Sequence, residues 1–444
     1  MYSLFYRIAS HPLLNSIRQK LPRWPSVYPG QFLFPAVLSL AGSVLAQSPE
    51  SDLAPDYKPP SVVEAPAIPE LSDSSLAAQN IDNRHFTMNW GLAILMDYTG
   101  FSQDDASVAQ VGVQEDQAEV RDFRFILRGD LKFLGSWNYL AAAAYKGFGQ
   151  NDGDDDWALN DLFLAHTLWS PQAKLGFGKT KEPFSYELVG DSANLPQQER
   201  LLSPFFVSRN WGVKISDVLP GQRATWSAGV FNDGFLDDAT SSGTDLAARV
   251  TMLPMWLDDG RRFLHLAASG RYYGGDDNTL RFRGRPESNV SDYFVDTGNL
   301  AADHAWQLGF EALWSEGPFS LLAEYVRADV SSGADGGAVL SGWYLSGSWV
   351  LTGEARPYDR TVGYARRVLP TKRWGAPELV VRLARTDLDD GNVAGGTMSN
   401  VHFGINWWAT KRWKAGFSWT HTRLKRDGLE GSTDSFLTRL QWIH

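Results

Sequence analysis

Residues Arg121–Lys146 read RDFRFILRGDLKFLGSWNYLAAAAYK. Taken every second residue, Phe123, Phe125, Leu127, Leu131 and Phe133 form one set, broken only by Gly129. Asp122, Arg124, Arg128, Asp130 and Lys132 form the other, with Ile126 the single apolar member. A period of two is that of an extended strand with unlike surroundings on its two faces. After the turn Leu134-Gly135-Ser136 the alternation resumes, with Trp137, Tyr139, Ala141, Ala143 and Tyr145 on one face. A strand of about 10 residues, greasy on one side and ionic on the other, matches a tilted strand of a membrane barrel. One sheet of a soluble sandwich alternates in the same way, so repetition along the chain has to decide.

The repetition is extensive. Alternating apolar sets run through Trp306–Trp314, Phe319–Tyr325, Trp343–Leu351, Leu379–Leu383, Val401–Trp407, Trp413–Trp419 and Phe436–Trp442. Short connections such as Ser315–Pro318 and Thr410–Arg412 alternate with long ones such as Gly274–Asp303. That asymmetry is expected of short periplasmic turns and long external loops. The reading is an all-β protein: a transmembrane antiparallel β-barrel of about 16 strands with both ends on the periplasmic side. A miscounted strand pair would explain the one long connection on the short side, Glu354–Pro377.

Three regions follow. Residues 1–46 read as a signal peptide, with Arg18, Lys20 and Arg23 before a short apolar core and Val44-Leu45-Ala46 as the cleavage site. Residues 47–83, rich in Pro, Ser and Ala, read as a flexible periplasmic lead-in. Residues 84–444 form the barrel, with Gly100–Glu119 as a polar loop. Losing residues 1–46 removes four basic side chains and no acidic one, and takes the formal charge from −10 to −14. An acidic chain is a poor nucleic-acid binder. There is no cysteine, hence no disulfide and no thiolate chemistry. The carboxylates Asp152, Asp154, Asp155 and Asp156 lack the spacing of a calcium loop and read as a solvated tip.

Residues 182–208 break the alternation, and Leu201, Leu202, Phe205 and Phe206 give this long loop apolar side chains to pack with. Here and nearby, specific motifs emerge. Thr352-Gly353-Glu354-Ala355-Arg356-Pro357-Tyr358-Asp359 resembles the T-G-E-x-R-P-Y-D signature of the phosphate-selective porins O and P. Trp374-Gly375-Ala376-Pro377-Glu378-Leu379-Val380 and Gly178-Lys179-Thr180-Lys181-Glu182-Pro183-Phe184 are similar to further segments of that family. The resemblance spans most of residues 84–444. It implies a usually trimeric outer-membrane barrel that passes small anions by diffusion, narrowed by an inward-folded constriction loop at Lys181–Ser208. The chain ends on Gln441-Trp442-Ile443-His444 where the family ends on an aromatic residue.

A pore selects ions by charged side chains at its narrow part, where the field is focused. The candidates for anion binding are Arg124 and Arg128 on the ionic face of the first hairpin. Lys179, Lys181, Arg200 and Arg209 lie in and around the constriction loop, and Arg382 lies on a later strand. The competing expectation is that such charges pair with one another, as Arg124 could with Asp122 or Asp130. No cofactor is expected. The expected partners are outer-membrane lipid and lipopolysaccharide, small anions such as phosphate, and two further copies of the chain. A non-selective or cation-leaning porin is the alternative, followed by a barrel hydrolase or a soluble β-rich binding protein. Enzyme signals are weak: Gly178-Lys179-Thr180 lacks the first glycine of a phosphate loop, and no H-E-x-x-H or G-x-S-x-G occurs.

Overall fold

The computed structural model describes residues 80–135, 137–145, 157–232, 243–331 and 336–444. The expected signal peptide, nearly all of the lead-in and the acidic tip at 152–156 lie outside the described residues. Sixteen long strands form one antiparallel sheet. In order they are β1 (Thr87–Gln103), β2 (Gln117–Leu131), β3 (Trp137–Tyr145), β4 (Trp157–Thr167), β5 (Lys174–Thr180), β6 (Asn210–Val218), β7 (Ala224–Asn232) and β8 (Thr244–Leu257). The second half comprises β9 (Arg262–Gly274), β10 (His304–Glu316), β11 (Phe319–Val330), β12 (Ala338–Val350), β13 (Ala376–Asp390), β14 (Val393–Trp408), β15 (Trp413–Arg426) and β16 (Leu429–Ile443). Each pairs with the next, and β1 pairs with β16 from Ala93↔Ile443 to Gln103↔Thr433, which closes the barrel.

The alternation has a direct structural cause. In β2, Phe125 is 38% exposed on the outer face while Arg124 is buried inside. Ile126, the apolar misfit, faces the interior cavity. The same outward parity holds for Trp306, Leu308, Phe310 and Trp314 of β10 and for Phe403, Ile405 and Trp407 of β14. Trp306 and Trp314 stand about 20 Å apart along a barrel axis tilted by roughly 40° to the strands, close to the height of an outer-membrane apolar band. Aromatic rings meet at these levels, stacked in Phe319–Trp349 at 5.3 Å and edge-to-face in Tyr272–Trp306 at 5.1 Å. No helix among the described residues is long and apolar enough to cross a membrane.

Three local expectations are corrected. Asn80–Asp82 pairs with Thr87–Asn89 of β1, so the regular structure begins before residue 84. The polar loop is shorter than Gly100–Glu119: β1 runs on to Gln103 and β2 starts at Gln117. Between them Asp105–Val111 forms a helix whose first turn is capped by Asp104, which accepts from the Ser107 N–H at 2.7 Å. The connection from β12 to β13 hides no pair of barrel strands. It is a true hairpin on the periplasmic rim, with only Tyr358–Asp359 against Tyr364–Ala365 paired.

Three segments fill much of the lumen. Loop 181–209 buries Phe184, Leu188, Leu201, Leu202 and Phe205 against inward side chains of β10–β12 such as Leu313, Leu322 and Tyr344. Loop 275–303, entering from the external side, adds Leu280, Phe282, Phe294 and Val295 to the same cluster. Hairpin 351–375 enters from the periplasmic side and adds Tyr358, Tyr364 and Ala365. An apolar core therefore stands inside the barrel, against β9–β14, and leaves the opposite side open.

Candidate functional site: a basic channel beside the inner loops

Loop 181–209 holds its course across the lumen because the wall bonds its backbone. Lys414 Nζ donates to the Leu195 carbonyl at 3.1 Å, Gln441 to the Ala193 carbonyl at 3.0 Å and Arg439 to the Gln198 carbonyl at 2.5 Å. Within the loop, Glu187 accepts the N–H groups of Leu201 and Leu202, both at 2.9 Å, and so ties its two limbs together. Irregular backbone at membrane depth needs such partners.

The octapeptide of hairpin 351–375 is explained by similar bonds. Glu354 accepts from the Thr352 hydroxyl and from the N–H and hydroxyl of Thr371, closing the neck. Arg356 pairs with the buried Glu378 and donates to the Asn194 carbonyl of loop 181–209 at 3.0 Å. Tyr358 shares a 2.6 Å hydrogen bond with His265, and Asp359 pairs with Arg366. At the tip, Gly363 has φ 77°, and a Cβ there would stand 2.8 Å from Thr251. Arg249 donates to the tip carbonyls Val362 and Gly363 at 3.2 and 2.8 Å. The signature is thus the fastening of a floor beneath loop 181–209.

The open side holds a cavity of about 390 Å³. Its wall comes from β2–β8, its inner side from Lys181, Val189 and Asp191, and its floor from Thr361, Val362 and Tyr364. Six basic residues line it: Arg124, Arg128, Lys181, Arg209, Lys214 and Arg249. The four acidic ones, Asp161, Glu182, Asp191 and Asp217, are all engaged. Asp161 pairs with Arg209 at 2.9 Å, Asp191 with Arg124 at 3.3 Å and Glu182 with Arg271 at 2.6 Å. Asp217 accepts from Trp169 and Ser170 at the rim. Burial would raise the Asp191 carboxyl, but Arg124, Lys181 and Arg200 around it hold it well below the usual carboxylate range.

Among the described residues, Arg128, Lys181 and Lys214 have no carboxylate partner. Lys181 donates to the Gly190 carbonyl at 2.9 Å, and Lys214 to Thr180 and the Lys181 carbonyl, both at 3.3 Å. Burial, reinforced by the Arg200 charge, lowers the Lys181 ammonium well below its ordinary value.

The sequence candidates therefore separate. Arg124, Arg128, Lys181 and Arg209 meet at the cavity. Arg200 lies in the loop but outside the cavity lining, donating to the Gly190 carbonyl at 3.0 Å. Lys179 is not a pore residue: it sits opposite Leu162 and Trp211 in the ladder, on the outer parity of Leu175 and Phe177. Arg382 does face inward, but the inner loops cover it. It is fully buried, 3.1 Å from Glu187 and 3.8 Å from Glu287, with its guanidinium 4.6 Å from the Tyr344 ring centre. Arg124 follows the pairing expectation with Asp122, at 2.5 Å, while Asp130 bonds Thr87 and Asn138 instead.

Sequence reasoning missed Lys214, Arg249 and a row at the external mouth. Arg281, Arg283 and Arg285 alternate with the buried Leu280, Phe282 and Gly284 in loop 275–303. Arg281 pairs with Asp296 at 2.5 Å, whereas Arg283 and Arg285 both lie 4.2 Å from the Tyr293 ring centre and have no carboxylate partner among the described residues. The R-F-R-G-R spacing was the available signal.

A closed sixteen-stranded barrel with an apolar outer belt, a loop packed inside it and a cavity lined by charged side chains is the architecture of a porin of the bacterial outer membrane. The family of phosphate-selective porins O and P matches residues 86–443, and the chain belongs to it. Porin O of Pseudomonas aeruginosa is 25% identical over 337 residues, which cover 65% of this chain and 74% of that protein. Among solved structures, an anion-selective porin from Comamonas acidovorans superposes with a TM-score of 0.53 at 12% identity, covering 81% of this chain and all of the other. The outer-membrane channel DcaP of Acinetobacter baumannii gives 0.51 at 11% identity, over 82% and 99% of the two chains. These last two likenesses establish the shared barrel.

Proposed function

We propose that the barrel is a diffusion channel that favours small anions, with phosphate and polyphosphate as its specific solutes. The observation that carries this is the imbalance on the cavity wall: every lining carboxylate is bonded, while among the described residues Arg128, Lys181 and Lys214 form no ion pair. The chain as a whole is acidic, yet the charge that a passing ion meets is the local one. In a water-filled passage each such cation attracts an anion by about 1 kcal/mol at contact, strong enough to bias entry and weak enough to allow exit. The arginine row of loop 275–303 extends the bias to the external mouth. Guanidinium groups suit phosphate because their planar fork matches two of its oxygens.

This reading gives the protein transport and no catalytic step. It also takes residues 1–46 as the export signal and lipopolysaccharide as a neighbour of the external loops. A homotrimer is the proposed assembly, since an OmpT structure from Vibrio cholerae in trimer form shares the barrel, with a TM-score of 0.51. Planar-bilayer recording in a KCl gradient tests the function. The expected reversal potential shows chloride over potassium, and added phosphate lowers the chloride current. A cation-signed potential would overturn the anion reading and leave the porin standing.

A further inference from the structure

The sequence Thr-Lys-Arg-Trp occurs twice, at Thr371–Trp374 and at Thr410–Trp413. The first copy ends hairpin 351–375 just before β13, and the second forms the turn between β14 and β15. The fold sets the two side by side. The Trp407 indole donates to the Trp374 carbonyl at 2.8 Å. Gly375 is packed so closely that a Cβ there would stand 2.6 Å from the Trp408 carbonyl oxygen and 2.9 Å from the Ala409 Cα. Trp374, 59% exposed, joins Trp407, Trp413 and Trp442 along the outer face of β13–β16 at the periplasmic rim. Trp413 and Trp442 are ladder partners with ring centres 6.4 Å apart.

Directly beyond this indole row stand Lys372, Arg373, Lys411 and Arg412, of which all but the half-buried Arg412 are exposed. Lys372 and Arg373 make no ion pair among the described residues, and the nearby Glu354 is already taken up by Thr352 and Thr371. None of the four lines the cavity on the open side of the barrel.

We infer that the paired Thr-Lys-Arg-Trp turns form a binding site for the headgroup of an anionic phospholipid in the periplasmic leaflet of the outer membrane. Indoles settle at the boundary between acyl chains and water, and fix the depth. Four cations on the water side of that boundary then stand level with lipid phosphates. The rim is the one carrying both ends of the barrel and the short turns, which places it opposite the leaflet that holds lipopolysaccharide. The inference is independent of ion selectivity in the channel.

The test is native mass spectrometry of the full-length protein in detergent, titrated with phosphatidylglycerol or phosphatidylcholine. The wild type should retain phosphatidylglycerol preferentially. Each neutralised charge should weaken that binding about fivefold, so Lys372→Gln, Arg373→Gln, Lys411→Gln and Arg412→Gln together should bring it to the phosphatidylcholine level. Conductance should not change, and Lys372→Arg with Lys411→Arg should keep the preference. Equal retention of the two lipids by the wild type would overturn the proposal, as would undiminished phosphatidylglycerol binding by the quadruple variant. Displacement of the lipid by millimolar inorganic phosphate would also overturn it, by making free phosphate the occupant.

Discussion

The two halves of the lumen are built from the same residue types and behave in opposite ways. Against β9–β16, inward arginines are sealed under the inner loops and bonded to carboxylates: Arg271 to Glu182 and Asp245, Arg439 to Asp97 and Glu199, Arg382 to Glu187. Against β2–β8 the wall faces the open cavity, and among the described residues the exposed Arg128 and the half-buried Lys181 and Lys214 form no ion pair. A buried charge must be paired, because removing one partner strands the other in a medium that solvates it poorly. A charge facing water has no such obligation and is available to a passing ion. The difference between scaffold and filter is therefore a difference in solvent access, set by which side the loops cover.

Substitutions on the covered side should break the fold before they alter transport. Arg382→Leu would leave Glu187 buried without its cation, a loss of about 3–5 kcal/mol. It should appear as a large fall in the temperature at which the detergent-solubilised barrel loses its folded electrophoretic mobility. Channels that still form should keep the wild-type reversal potential; a shifted potential would make Arg382 a pore residue after all. On the open side the order reverses. Lys181→Gln with Lys214→Gln should cut the anion-to-cation permeability ratio by an order of magnitude or more, at about fivefold per charge, with thermal stability nearly unchanged. Arg128→Gln alone should cost about fivefold or less.

Alkaline titration sharpens the same contrast. Burial and the Arg200 charge lower the Lys181 ammonium, so it loses its proton earlier than an ordinary lysine as pH rises. Anion preference should therefore fall on the alkaline side, and Lys181→Gln should remove that part of the pH dependence. Lys179→Gln, on the outer face, should leave selectivity where it was. A change there would refute the parity assigned to β5.

The wall was legible because a strand between lipid and water writes its environment into every second residue, and Phe123–Phe133 or Val401–Trp407 need no long-range knowledge. Loop 181–209 could be singled out by its broken period and by Leu201, Leu202 and Phe205, which require a partner. What those residues pack on was not legible, since Phe205 meets Phe282 across 77 positions of sequence through no local pattern. Lys179 was misplaced when the Gly178-Lys179-Thr180-Lys181 run was read as one unit; parity carried on from Phe177 puts Lys179 outside. Arg382 was rightly picked as an inward candidate on its strand, but a strand cannot report that another segment will cover its inner face. The long periplasmic hairpin looked like a counting error because a turn that folds back into a barrel lacks any period of its own.

The seam between β1 and β16 has a bearing on biogenesis. It joins residues some 340 positions apart, from Ala93↔Ile443 to Gln103↔Thr433, and contacts so distant in sequence are slow to form. The same final strand supplies Arg439 and Gln441, which hold the Gln198 and Ala193 carbonyls of the loop across the lumen. Until β16 arrives, a nascent chain has an unzipped edge open to the wrong partner, and loop 181–209 is held only by earlier strands, through bonds such as Lys414 to the Leu195 carbonyl. Sealing the wall thus also supplies the last fastenings of the loop inside it.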